Sequence, residues 1–132
     1  MLSIIIPTWK EARALPATLA ALDTAGRHAR DVEVEVLVVD GGSHDETLAL
    51  AAQVPHVRVL RCRAGRAAQM NAGAAAASGA LLLFLHADTL LPAEGLAQVI
   101  SAPTRFGGFH PAFSRRRWEP RLVSWLDNLC AR

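Results

Sequence analysis

The chain has 132 residues, 52% hydrophobic and 20% charged, which is room for one domain with a sizeable core and excludes disorder as its default state. Fourteen basic and twelve acidic side chains leave a formal charge of +2, far from the basic stripe of a dedicated nucleic-acid binder. The charge is uneven, because residues 105–132 hold six arginines against two acids. Cys62 and Cys130 lie far apart without zinc or redox spacing, which fits a reducing cytoplasm. The opening MLSIIIPTW has no basic n-region and its apolar run stops at Pro7, unlike a signal peptide. Ala72–Leu85 is too short, and is broken by Gly79, for a membrane span, so the sequence reads as soluble.

In chain order, Leu2–Ile6 is a β-branched apolar run that reads as a buried strand ending at a loop. Ala14–Ala25 places Leu15, Leu19 and Leu22 at helical spacing and is expected to stop at Gly26. Val32–Val39 alternates and then turns wholly apolar, as a strand covered on both faces does, with Asp40 at its end. Ser43-His44-Asp45-Glu46 matches a capping box, in which Ser43 would cap a helix running to about Gln53. Val57–Leu60 predicts a third strand, Ala67–Ala77 an Ala-rich helix, and Leu81–Leu85 a fourth strand. Pro92 predicts the first turn of a helix to about Ile100. Beyond Phe106 an irregular or edge strand to Ser114 is expected, then a helix over Arg121–Leu129 with Leu122, Trp125, Leu126 and Leu129 on one face.

Strands alternating with helices form right-handed βαβ units, so the expected architecture is a doubly wound α/β fold with a mostly parallel sheet. In such sheets ligands bind outside the carboxyl ends of the strands. The loops there read Pro7-Thr8-Trp9-Lys10-Glu11, Asp40-Gly41-Gly42-Ser43, Arg61 to Arg66 and His86-Ala87-Asp88-Thr89, which gathers the polar residues on one rim. The first loop lacks G-x-G-x-x-G, which disfavours a dinucleotide site. No P-loop and no G-x-S-x-G elbow is present either. A nucleotide held by carboxylates and loop amides remains.

Four segments, PTWKEA, VVDGGSHDET, GRAAQMNAGA and LFLHADT, follow successive strands in that order and resemble a family 2 glycosyltransferase of GT-A fold. GRAAQMNAGA and FLHADT, with GGFHPAFS and RLVSWLDNL, are more narrowly similar to a bacterial arsenosugar-biosynthesis-type subgroup. The resemblance implies a three-layer α/β/α, Rossmann-like nucleotide-diphospho-sugar transferase fold, with residues 1–104 as the nucleotide-sugar-binding part and 105–132 starting the acceptor side of the same domain. It implies inverting, metal-assisted transfer from a nucleotide-diphosphate sugar, with UDP the expected nucleotide, and a donor-binding set of Pro7, Thr8, Glu11, Asp40, Gly41, Arg66, His86 and Asp88. Asp40 matches the base-binding acid, where a carboxylate accepts a uracil imide N–H; otherwise it is a turn residue before Gly41-Gly42. Thr8 and Glu11 match the nucleotide-contacting loop, although Lys10 stands where the family usually has Asn. Asp88 corresponds to the last acid of a D-x-D element that holds Mn²⁺ or Mg²⁺, and otherwise caps the following turn, while His86 replaces the first acid as either a ligand-side hydrogen-bonder or a rim residue. Arg66 faces either phosphate or base, or else solvent, and Asn71 and Gly73 match an N-x-G read as structural, with Gly73 allowing close packing. Ser43 and Asp45 are read as capping residues.

Transfer needs a base for the acceptor hydroxyl. By the same resemblance that base is expected beyond Arg132, and no catalytic residue is assigned. The helix expected over Arg121–Leu129, flanked by Arg115, Arg116 and Arg117, either docks on the sheet or leaves an apolar face for dimerisation or contact with an anionic membrane surface. The remaining expected partners are the sugar donor and an acceptor the sequence does not specify, and the expected location is the cytoplasm.

Overall fold

The computed structural model describes residues 1–29, 31–102 and 107–109. Strand β1 (Leu2–Thr8) forms where β-branched residues favour extended backbone, and its side chains divide by parity. Ile4 and Ile6 enter one core and Ile5 the other, and all three are fully buried. Strand β2 (Val34–Asp40) does the same, with Val38 facing the first core and Leu37 and Val39 the second. Strands β3 (Val57–Arg61) and β4 (Leu81–Phe84) complete a sheet of order β3-β2-β1-β4 in which every pairing is parallel. The expected α/β architecture with a parallel sheet is thus observed.

Helices α1 (Leu15–His28), α2 (Thr47–Ala52) and α4 (Gly95–Ser101) bury Leu15, Leu19, Leu22, Ala51 and Leu96 in the first core. Helix α3 (Arg66–Ala76) covers the opposite face with small residues, Ala72, Ala74 and Ala76, over Ile5, Leu37 and Val39. That approach needs Gly73, where an added Cβ would lie 2.4 Å from Ile5 Cγ2. The close packing read from N-x-G is therefore real. Met1–Ala102 forms one compact unit. No helix among the described residues is long and apolar enough to cross a membrane.

Three expected boundaries are corrected. Helix α1 passes Gly26 and ends at His28, because Gly26 does not take the left-handed conformation that stops a helix. Helix α4 begins at Gly95, not Pro92; the Pro92 carbonyl instead accepts the Gly95 amide in a preceding turn. Ser43 caps nothing: α2 starts at Thr47 without a side-chain cap from Glu46, and the Thr47 amide donates to Asp45 instead. The expected strand over Phe106–Ser114 and helix over Arg121–Leu129 lie outside the described residues, apart from residues 107–109.

At the amino end of the sheet, Glu35 gathers donors from three segments. The Ser3 hydroxyl, the Ser78 amide and the Arg58 guanidinium all donate to it, and Gly79 N–H donates to Ser3 Oγ at 2.8 Å. The Ser3 hydroxyl leads these in holding the Glu35 carboxyl down at about 2.

Candidate functional site

The chain runs β1 to β2 to β3 on one side and then crosses to β4 on the other, so the strand order reverses between β1 and β4. The crevice outside the carboxyl ends of those two strands is where an open parallel sheet receives a ligand. Thr8 to Glu11 and His86 to Thr89 flank it. Arg66 is exposed at the start of α3, the helix that packs over β1 and β2.

Asp40 lies opposite Thr8 in the parallel register and is fully buried. Its Oδ1 accepts from Thr8 Oγ1 at 3.2 Å and from the Ser43 hydroxyl, while Oδ2 accepts the Gly42 and Ser43 amides at 2.9 and 2.8 Å. Burial pushes this carboxyl upward, but the Ser43, Gly42 and Thr8 donors outweigh it and hold the group below the ordinary aspartate range. All four donors belong to the chain itself, so the carboxylate shapes the turn. Gly42, at φ 98°, supplies the left-handed residue the turn requires.

The second loop also holds the first. Three successive amides of the first loop donate to side chains of the second: Lys10 N–H to Ser43 Oγ at 2.8 Å, Glu11 N–H to Thr47 Oγ1 at 2.9 Å and Ala12 N–H to Asp45 Oδ2 at 3.4 Å. This is the role of Ser43 and Asp45 that the capping-box pattern concealed. Hydrogen bonding from Thr47, chiefly its hydroxyl, lowers the Asp45 carboxyl. Glu11 is half-buried, and its carbonyl accepts the Ala14 and Leu15 amides at the turn into α1. Lys10 adopts φ 58°, a left-handed conformation costly for a lysine and tolerated by asparagine. Lys10→Asn is expected to stabilise the chain by roughly 0.5 kcal/mol, read from the urea midpoint, because it relieves that strain and keeps the amide.

On the other flank, Ala87 is buried while His86 and Asp88 are exposed on either side of it. The buried Thr18 hydroxyl fixes this turn by donating to the Ala87 carbonyl at 2.7 Å, and the Thr89 amide closes it on the His86 carbonyl. Among the described residues no three His, Cys, Asp or Glu side chains gather as a metal site. Asp88 and His86 would offer at most two protein ligands to a cation on this rim. That fits a cation whose remaining positions are taken by water and phosphate oxygens.

The structure thus joins Thr8, Asp40 and Gly41 directly, with Pro7 half-buried beside them, and places Arg66, His86 and Asp88 exposed on the flanks. Two residues were overlooked in the sequence. Trp9 is 57% exposed on the first loop, with Lys10 Nζ 4.8 Å above its ring, and only its position after Thr8 signalled a rim aromatic. Gln69 is buried on α3, four residues before Gly73 and hence on the same helix face, which was the available signal.

The family model described as Glycosyl transferase family 2 matches residues 3–126. The chain belongs to that family. A PGL/p-HBAD biosynthesis glycosyltransferase of Mycobacterium bovis is 42% identical over 108 residues, covering 75% of this chain and 40% of its own length. An undecaprenyl-phosphate 4-deoxy-4-formamido-L-arabinose transferase of Aeromonas hydrophila is 30% identical over 133 residues, covering 96% of this chain and 39% of its own. Among solved structures, the mannosyltransferase PcManGT of Pyrobaculum calidifontis, in complex with GDP-Man and Mn²⁺, superposes with a TM-score of 0.62 at 27% identity, covering 78% of this chain and 33% of that one. The chain spans about two fifths of the length of these curated relatives. The alternating β-α order and parallel sheet agree with a GT-A, Rossmann-like fold, and this family of enzymes transfers sugars from nucleotide-sugar donors.

Proposed function

We propose that this chain binds a nucleotide-diphosphate sugar, with UDP as the nucleotide, for inverting, metal-assisted transfer of the sugar to an acceptor in the cytoplasm. The observation carrying this reading is the convergence of the Thr8–Glu11, Asp40–Ser43 and His86–Asp88 loops on the crevice where strand order reverses. Trp9 offers a ring face on which a base can stack. Thr8, Glu11 and the Asp40 turn form the nucleoside side, and Arg66 at the start of α3 supplies a cation for phosphate. Asp88, with His86 beside it, would hold a divalent cation, and an imidazole in the set tilts the choice from Mg²⁺, which prefers oxygen, toward Mn²⁺. When bound, that cation neutralises the negative charge growing on the departing diphosphate. The GRAAQMNAGA and FLHADT segments support a place near the arsenosugar-biosynthesis-type subgroup.

Calorimetric titration of UDP into the 132-residue chain, with and without Mn²⁺, tests the reading. Binding strengthened by Mn²⁺, with that gain lost in Asp88→Ala, is the expected result. A folded chain that takes up no UDP under either condition sinks the proposal. A chain that binds UDP-sugar yet releases no free sugar or glycoside is a binding module, so product formation separates the two.

A further inference from the structure

Gln69 is the polar side chain on the buried face of α3, 4% exposed, and its amide works at the carboxyl end of the sheet. Parallel strands leave backbone groups unpaired where the ladder stops, and a buried carbonyl there needs a donor. Nε2 of Gln69 donates to the Thr8 carbonyl at 2.7 Å and the Val39 carbonyl at 2.8 Å, so one side-chain amide bridges the ends of β1 and β2. The Thr8 carbonyl also accepts the Gly41 amide at 3.0 Å. The same strand ends carry the Thr8 hydroxyl and the Asp40 carboxylate.

This reach is fitted closely to a position 41 without a side chain. A Cβ on Gly41 would lie 3.1 Å from Cδ and Oε1 of Gln69 and 3.2 Å from Nε2, tight contacts with the very amide that bridges the strands. Gly41 keeps an ordinary φ, so its requirement is for space and not for backbone freedom. We propose that Gln69, coupled to Gly41, is a positioning residue that fixes the Thr8–Asp40 edge of the nucleotide site. This rests on the donor-site reading above. Without the amide, the Thr8 carbonyl keeps only the Gly41 amide and the Val39 carbonyl only the long Thr8 hydroxyl contact, so the strand ends and the turn that orients Asp40 loosen.

The test compares Gln69→Met, which keeps length but has no donor, Gln69→Ala, Gly41→Ala, the Gly41→Ala/Gln69→Ala double variant and Leu22→Ala as a remote destabilised control. UDP affinity with Mn²⁺ is measured by calorimetry well below each thermal midpoint. Gln69→Met is expected to weaken UDP by about tenfold, whereas Leu22→Ala stays within about twofold of the parent despite a lower midpoint. The double variant is expected to lose no more affinity than Gln69→Ala alone. A Gln69→Glu variant adds a readout that a packing role would not move. Its carboxylate opposes two carbonyls when ionised and donates to one when protonated, so its affinity should recover on acidification while the parent shows no such step. Parent-like binding by Gln69→Met, or losses from the two sites that simply add, overturns this inference alone. A parent chain that binds no UDP overturns the functional reading as well.

Discussion

Gly73→Ala destabilises the chain by roughly 2 kcal/mol, the reverse of the gain an alanine brings at an open helical position. The added Cβ would meet Ile5 Cγ2 at 2.4 Å and Val39 Cγ2 at 3.1 Å, and both partners are fully buried in central strands. Relief requires α3 to lift from the sheet, and that same lift draws Gln69 away from the Thr8 and Val39 carbonyls. Urea unfolding measures the loss. Gly26→Ala is the internal control, because nothing lies within 4 Å of a Cβ there, and it should show the ordinary gain of up to about 1 kcal/mol. Ile5→Leu, which moves the branch away from Cβ, should return part of the stability in the Gly73→Ala background. A neutral or stabilising Gly73→Ala would mean that α3 does not seat this closely.

Asp40→Ala should cost about 2 kcal/mol, because it removes the acceptor of the Gly42 and Ser43 amides and of two hydroxyls at a part-buried turn. Asp40→Asn keeps one acceptor oxygen and should cost about 1 kcal/mol. The folded-state carboxyl is depressed below its ordinary value, so its contribution is complete above the unfolded pKa and disappears as pH falls through the folded one. The stability gap between the parent and Asp40→Asn should therefore be constant from neutral pH to about 5 and narrow below about 4. Equilibrium unfolding at stepped pH reads this directly. A gap that widens toward acid would contradict the carboxylate's role as acceptor.

The strands and the rim were legible because each rests on local pattern. Apolar runs such as Leu2–Ile6 and Leu81–Leu85 are too short for a helix and end at a turn, which favours strands, and polar residues after each run then fall at the strand ends. What stayed hidden depends on partners distant in sequence. Ser43 matches a capping box, but its hydroxyl donates to Asp40 and accepts the Lys10 amide, and the latter partner lies 33 positions away. The depth of Asp40 follows from Thr8, 32 residues earlier, and from the turn it folds beneath itself. Pro92 had a plausible helical start, but the turn it enters ends against Gly95, where a Cβ would lie 2.6 Å from Leu91 Cγ. In the α3 motif, Gln69 stood among small residues with no local cue to the two carbonyls it reaches.

The three bonds from the first loop to Ser43, Thr47 and Asp45 make the PTWKEA and DGGSHDET segments one heritable cassette. A loop exchanged alone between relatives brings backbone donors whose acceptors were left behind in the other segment. Chimeras cut between residues 9 and 47 should therefore fail more often than chimeras that carry both segments together. The two segments are thus one structural unit, held by bonds that involve no sugar donor.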